Sequence, residues 1–359
     1  MTSIKRYSDF IWQALTAKSP RLAYIGGFFG KNNLGDEALY DAAKSLFYNC
    51  SLLKFPRKQW LTSITKVLPH IHCAVLAGGT IINRLESWRH LADRYFDIFP
   101  FSFVFGTGVA HPSFWSSQPG WKDSLKEWKP ILEKCSYIGV RGPMSAQLLA
   151  DASVRNVEIV GDPVLTFAAE QSPDNASYIP DSIGLNIGQA GGYMWGSEDR
   201  LLDEYVKLAS FARQAGWRVK WFVVYPPDLS ITEKAAQLSG TAAEIHKVYR
   251  NVNEYLDLVR PLSTFVGMKL HATALATVAY VPSVMLEYRP KCRDYMKSIG
   301  QEDATIRTDR VKAQEVWDIL SAWNSEHQTA SKALYDAVKA LSEVQQSKAN
   351  RLVATMMSF

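Results

Sequence analysis

Short apolar runs recur along the chain, and most of them stop at a glycine. Leu22-Ala-Tyr-Ile-Gly26, Cys73-Ala-Val-Leu-Ala77, Phe101-Ser-Phe-Val-Phe105, Tyr137-Ile-Gly-Val140 and Val157-Glu-Ile-Val160 each read as a buried strand. Gly27, Gly78-Gly79, Gly106-Thr107-Gly108, Gly142 and Gly161 follow them. The segments between carry helical composition, as in 37–46 and 144–149, with Pro143 at a first helical turn, where it is tolerated. Continuous apolar strands alternating with helices predict a parallel sheet covered on both faces. In such sheets ligands sit at the carboxyl ends of the strands, and here those ends carry glycine and polar groups.

The polar stretch 170–181, with Pro173 and Pro180, reads as a linker. Beyond it the pattern begins again, with strands at 182–187, 218–224, 264–266 and 283–286. Helices fall near 198–214, 230–239, 252–259 and 270–279, and the chain is helical over about 311–346. The expected organisation is an N-terminal Rossmann-like domain over 1–175, a C-terminal one over 176–329, and a helical segment, 330–359, crossing back to the first domain. Two doubly wound α/β domains with a cleft between facing strand ends are the GT-B architecture.

Composition narrows the class. At 359 residues, 47% hydrophobic and 21% charged, the chain reads as a soluble two-domain protein with ample core. A net charge of +5 is too small and too scattered for nucleic acid, but suits small anions or the anionic face of an inner membrane. Cys50, Cys73, Cys135 and Cys292 are far apart with no CxxC pair, so reduced thiols and a cytoplasmic location are expected. No apolar run is long enough to span a bilayer, and the N-terminus lacks a signal-peptide pattern. Residues 1–15 read as an amphipathic helix, taken to dock on the domain in preference to a membrane surface.

The stretch Val266-Gly267-Met268-Lys269-Leu270-His271 concentrates candidate chemistry. It runs from a strand through a glycine turn into an Ala/Leu-rich helix, so Lys269 and His271 arrive at a helix mouth. A helix N-terminus offers free N–H groups and a positive dipole end. A fixed cation and a titratable imidazole there can hold a phosphate or carboxylate and move a proton. The bland alternative is a solvated lysine and a packed histidine. Elsewhere the loop Gly30-Lys-Asn-Asn33-Leu-Gly35-Asp36 approaches something closely, yet it is neither GxGxxG nor a P-loop. Asp36 reads as a base or as a helix cap, Asp162 as a turn residue, and His111 as a group lining the acceptor site. His70 and His72 share a strand face but lack a third ligand, so no metal is expected. Tyr193-Met-Trp195 after Gly191-Gly192 reads as an aromatic loop for a sugar or donor, or as plain packing. Glu244 and His246 have no assigned place.

Together these pieces resemble the polysaccharide pyruvyl transferase family. The resemblance rests on Asn33-Leu-Gly-Asp36-Glu-Ala, Gly78-Gly79, Gly106-Thr-Gly108, Val140-Arg141-Gly-Pro-Met-Ser145, Gly161-Asp162-Pro163, Gly267-Met-Lys-Leu-His271 and Tyr288-Arg-Pro-Lys291. They follow the family's order over residues 21–300. One departure is Lys269, where the family usually carries arginine; an arginine fork grips an oxyanion bidentately, whereas lysine is a point charge. The resemblance implies transfer of the enolpyruvyl group of phosphoenolpyruvate onto two hydroxyls of a saccharide as a cyclic ketal, with no cofactor. The expected donor-binding set is Lys269, Arg289, Lys291, Arg141 and Gly267. His271 and Asp36 are the expected catalytic groups, and Asn33, Gly35, Gly79, Thr80 and His111 the acceptor-binding set. The acceptor would be a lipid-linked oligosaccharide of surface-polysaccharide synthesis, met at the cytoplasmic face of the inner membrane. The competing readings are a nucleotide-sugar glycosyltransferase of the same architecture, with Lys269, His271 and Glu287 on a diphosphate and ribose, and a non-catalytic glycan-binding protein.

Overall fold

The computed structural model describes residues 16, 21–27, 30–54, 71–99, 101–168, 172–173 and 178–358. The N-terminal amphipathic segment, His70 and the side chain of His72 lie outside the described residues, as does most of the linker stretch 170–181. The chain divides into two compact units. Unit 1 comprises 1–27, 39–166 and 343–359; unit 2 comprises 28–38 and 167–342. The sequence pattern placed boundaries near 175 and 330, whereas the loop after the first strand also groups with unit 2.

Unit 1 holds β1 (Arg21–Ile25), β2 (Ser51–Lys54), β3 (Ile71–Ala77), β4 (Thr80–Ile82), β5 (Phe101–Val109), β6 (Tyr137–Val140) and β7 (Val157–Ile159). Its helices are α1 (Leu34–Leu46, from Leu39 onward), α2 (Glu86–Ile98), the single turn α3 (Pro112–Trp115), α4 (Leu125–Leu132) and α5 (Pro143–Asp151). The sheet order is β2-β1-β3-β5-β6-β7, with β4 against β5, and each pairing among the described residues is parallel. Trp88 and Tyr95 of α2 and Trp128 of α4 bury against strand residues such as Val104 and Val140. Just after α1, Phe47 meets Phe103 and Phe105 edge-on at 5.6 and 5.4 Å.

Unit 2 is built from β8 (Ile179–Asn186), α6 (Glu198–Gln214), β9 (Arg218–Val223), α7 (Leu229–Ser239), β10 (Ile245–Lys247), α8 (Val252–Val259) and β11 (Leu262–Gly267). It continues with α9 (Leu270–Val278), β12 (Ser283–Glu287), α10 (Pro290–Ser298), β13 (Thr305–Arg307) and α11 (Ala313–Ser325). The order β10-β9-β8-β11-β12-β13 is parallel throughout. It is the doubly wound order in which the sheet grows outward in both directions from its first strand. Helix α9 is apolar on almost every face and is buried from Ala272 to Val278, as a helix must be that has no polar side to offer water. Glu244 and His246 find their place here: His246 sits on edge strand β10 and stacks on Phe222 at 5.4 Å, while Glu244 pairs with Arg218 at 2.6 Å. A three-residue strand is too short to leave a period in the sequence.

The last helix, α12 (His327–Met357), belongs to unit 2 up to residue 342 and to unit 1 beyond it. In unit 2, Ser331 Oγ donates to Tyr280 O (2.6 Å) and Tyr335 meets Tyr280 edge-on. In unit 1 the buried amide of Gln345 donates to both Val160 O and Asp162 O, each at 2.9 Å, and Lys348 pairs with Glu158. No helix of the described residues is long and apolar enough to cross a membrane.

Candidate functional site

The second sheet reverses its direction of growth between β8 and β11, so the carboxyl ends of those strands form the natural binding crevice of unit 2. Asn186 ends β8 and ties this place together. Its side chain donates to Phe222 O (2.9 Å) and accepts from the Lys269 N–H (3.0 Å), while its carbonyl accepts from Met268 N (2.9 Å) and from the Tyr205 hydroxyl (2.7 Å). Gly267 needs its missing side chain for packing: a Cβ would collide with Thr273 and Phe265. It shapes the turn into α9.

Lys269 is the N-cap position of α9 in extended conformation. Its ammonium does not reach into open solvent. It donates to Gln189 O (2.7 Å) and to Asp228 Oδ1 (3.1 Å), and only 18% of the side chain is exposed. Asp228 is wholly buried and also accepts from the Gln189 N–H at 2.9 Å. The close approach depends on Gly188, where a Cβ would strike both Lys269 Cε and Asp228 Cγ. Burial raises the Asp228 carboxyl above its ordinary range, and the Lys269 charge and the Gln189 N–H only partly counter it. An ammonium has three N–H donors, and two are committed here.

His271 stands one turn into α9, half-buried, with its ring against the backbone of Gly35. That contact exists because the loop after β1 is fastened to unit 2. Leu34 N–H donates to Val224 O beyond β9 (2.9 Å), and Arg250 Nε donates to Asn32 Oδ1 (2.5 Å). Glu37 Oε1 closes the loop by accepting from Gly30 N–H. Asn33 Oδ1 accepts from Gly35 N–H at 3.1 Å and caps α1, which therefore starts at Leu34 and not at Glu37. Asp36 is thus an inner first-turn residue and not the cap. Of the expected acceptor-binding set, Asn33 and Gly35 belong to unit 2, with Gly35 against His271, and Gly79 and Thr80 belong to unit 1.

Arg289 and Lys291 open α10. Arg289 Nε donates to Tyr193 O (2.7 Å) and Nη2 reaches Ala190 O (3.4 Å), so the guanidinium carries the aromatic loop. Glu198 Oε1 fastens the near end of that loop through Ala190 and Gly191 N–H. Within the loop Met194 is buried and Tyr193 is exposed. The Arg289 and Lys291 head groups lie 4.9 and 5.0 Å from the Tyr288 ring centre. Burial raises the Tyr288 phenol, but Lys291, Arg289 and Lys269 together outweigh it and draw the phenol below its ordinary value. Three cations around one phenol make the local field positive. Glu287, by contrast, is buried on Arg293 (2.9 Å).

Of the remaining candidates, Arg141 departs most from expectation. It is fully buried in unit 1, with Nε on Asp162 Oδ2 (2.8 Å), Nη1 on Thr80 Oγ1 (3.2 Å) and Nη2 on Gly79 O. An arginine so enclosed ties three strand ends together. Thr80, Gly79 and Asp162 are its partners. His111 Nδ1 accepts from Ser113 N–H (3.2 Å) and caps α3. Among the described residues no three His, Cys, Asp or Glu side chains gather as metal ligands. Sequence reading missed Asp228 and Asn186. The available signal was Tyr225-Pro-Pro-Asp228, a carboxylate set directly after an apolar strand.

A sequence profile described as polysaccharide pyruvyl transferase matches residues 33–290, well over half of the chain. The chain belongs to the polysaccharide pyruvyl transferase family. The matched span runs from the Asn33 cap to the first turn of α10, so it includes Lys269, His271 and Asp228. No curated protein matches by sequence. Among solved structures, a putative UDP-N-acetylglucosamine 2-epimerase from Listeria monocytogenes superposes with a TM-score of 0.57 at 10% identity, covering 95% of this chain and 96% of that one. A UDP-glucosyltransferase from Polygonum tinctorium gives 0.54 at 11%, covering 96% and 100%. An O-GlcNAc transferase variant from Thermobaculum terrenum gives 0.52 at 11%, covering 96% and 71%. At such identities the likeness concerns the fold alone: this pyruvyl transferase family member has two Rossmann-like domains of the GT-B class.

Proposed function

We propose that the protein transfers the enolpyruvyl group of phosphoenolpyruvate to two hydroxyls of a saccharide, forming a pyruvate ketal, and that unit 2 holds the donor. The supporting observation is the group of three cations, Lys269, Arg289 and Lys291, acting on Tyr288 at the carboxyl ends of β11 and β12. A donor bearing a phosphate and a carboxylate needs two cationic subsites, and the mouths of α9 and α10 supply one each.

In this reading His271 takes the proton of the attacking sugar hydroxyl, and the donor methylene gains one proton to become methyl. The hydroxyl oxygen bonds to C2, giving a tetrahedral phospho-ketal. The C2–O bond to phosphate then breaks, with the cations stabilising the departing charge. A second hydroxyl of the same sugar closes the ring, and its proton leaves with phosphate. Gly35 lies against His271, and Asp36, its neighbour in sequence, serves as the second acid or base of this reading. Gly79 and Thr80 in unit 1 stay with the acceptor. The acceptor is a lipid-linked saccharide of surface-polysaccharide synthesis, met in the cytoplasm at the inner membrane.

Incubation with phosphoenolpyruvate and a panel of lipid-linked or nitrophenyl sugars tests this. The expected result is phosphate release matched by a pyruvyl mass increment on one sugar. Turnover with UDP- or GDP-sugars in its place would make the protein a glycosyltransferase.

A further inference from the structure

Asp228 has no assigned part in the reaction, yet it is the most enclosed charged group at the donor site. Its Oδ1 serves both Lys269 Nζ and Gln189 N–H, while Oδ2 is buried with no hydrogen-bond partner. The Asp228 carbonyl accepts from Thr232 Oγ1 (2.9 Å), which fixes the turn before α7. The charged and titratable groups facing the carboxyl are Lys269 from the cap of α9, Glu198 from α6 and Tyr249 beyond β10. Glu198 adds repulsion, so ionised Asp228 is held by one cation against burial and one like charge.

This creates a conflict for any anion that uses Lys269. With Asp228 ionised, the Lys269–Asp228 pair has no net charge, and an arriving phosphate or carboxylate meets a carboxylate just behind the ammonium. With Asp228 protonated on Oδ2, the pair carries one positive charge. A buried carboxyl gains more from losing its charge than an exposed one.

We propose that Asp228 is a positioning residue that couples donor binding to proton uptake: one proton from bulk solvent goes onto Oδ2 as the anion settles on Lys269. This rests on the donor site lying in unit 2. The charge of Lys269 is thereby switched on by the ligand that needs it. Gly188 belongs to the device, since only a residue without Cβ lets the two side chains meet.

The test is calorimetric titration of the whole protein with sulfate, which does not titrate in the working range, and separately with phosphoenolpyruvate. Each is run in buffers of different ionisation enthalpy. The expected result is uptake of roughly one proton per anion, with affinity falling about tenfold per pH unit above the carboxyl's free-state value. Asp228→Asn should bind sulfate with little pH dependence and no uptake, while His271→Gln should keep the uptake. Infrared difference spectra supply a second readout: a protonated-carboxyl band should appear on anion binding in the wild type. That measurement stands alone should Asp228→Asn not fold. Absence of the band, absence of sulfate binding, or uptake that persists in Asp228→Asn and vanishes in His271→Gln would overturn the proposal. Sulfate uptake without phosphoenolpyruvate binding would leave this coupling intact and remove the donor assignment instead.

Discussion

The imidazole of His271 lies directly on the backbone of Gly35, leaving no space for a side chain between them. The first glycine loop and the Lys269-Leu-His271 stretch of this chain, more than 230 residues apart in sequence, are thus one piece of structure. Gly35→Ala should displace the ring and lower kcat by on the order of 10²-fold with little change in the phosphoenolpyruvate KM, since a shift near 1 Å at a reacting group costs that much. His271→Gln should lose about 10²–10⁴-fold in kcat, because an amide bonds but does not titrate. Near-normal kcat in His271→Gln would move the proton chemistry to Asp36.

Lys269→Ala should act chiefly on binding. Removing one partner of an enclosed charged pair costs roughly 2–5 kcal/mol, so KM for phosphoenolpyruvate should rise on the order of 30-fold or more. Lys269→Arg should recover part of it, limited by the space beside Gly188. Steady-state kinetics on variants that melt like the wild type check this; an unchanged KM would remove Lys269 from the donor site.

Asp228 makes a signed prediction about stability. Burial raises its folded value above the ordinary aspartate value of about 4, so its contribution is fully present below that pH and is lost as pH rises through the folded value. Asparagine cannot ionise. The difference in Tm, Asp228→Asn minus wild type, should therefore grow more positive from about pH 4 upward. A gap that narrows with rising pH would mean the carboxylate is stabilised by its surroundings.

His327 works with the opposite sign. It stacks on Tyr178 at 3.8 Å, and its Nδ1 donates to Ser263 O at 3.0 Å. Burial lowers its pKa, with the Ser263 bond opposing. Its contribution is present above the unfolded value of about 6.5 and is lost as pH falls through the lower folded one. Melting curves of His327→Asn should lose part of the acid destabilisation that the wild type shows below about pH 6.5.

Arg141 should prove structural. Arg141→Ala strands Asp162 in a fully buried place, at a cost of about 3–5 kcal/mol. Its Tm should drop, and the fraction that stays folded should keep the wild-type KM for phosphoenolpyruvate. A raised KM at unchanged Tm would return Arg141 to the donor site.

The parallel α/β units, the glycine-closed strand ends and the Lys269–His271 junction are legible in the sequence because each leaves a local period or a motif. Three things are not. The loop at residues 28–38 joins unit 2 through backbone bonds such as Leu34 N–H to Val224 O, and backbone pairing carries no residue signature. The Lys269–Asp228 pair joins residues 41 positions apart through a gap left by a glycine, which sequence marks only as one more glycine. Arg141 sits in a motif that looks like ligand chemistry, and its burial on Asp162 leaves no trace in the sequence.

The bonds from Gln345 to Val160 O and Asp162 O have a consequence for how the protein is made. Unit 1 is discontinuous: its sheet is synthesised first, but the helix segment that satisfies those carbonyls follows the whole of unit 2. On a ribosome the early sheet must therefore wait, with its last strand end unsealed, while about 180 further residues emerge. Contacts of such separation are slow to close. Both units are discontinuous, but unit 2 has all its segments once residue 342 is made, and unit 1 is finished only after it.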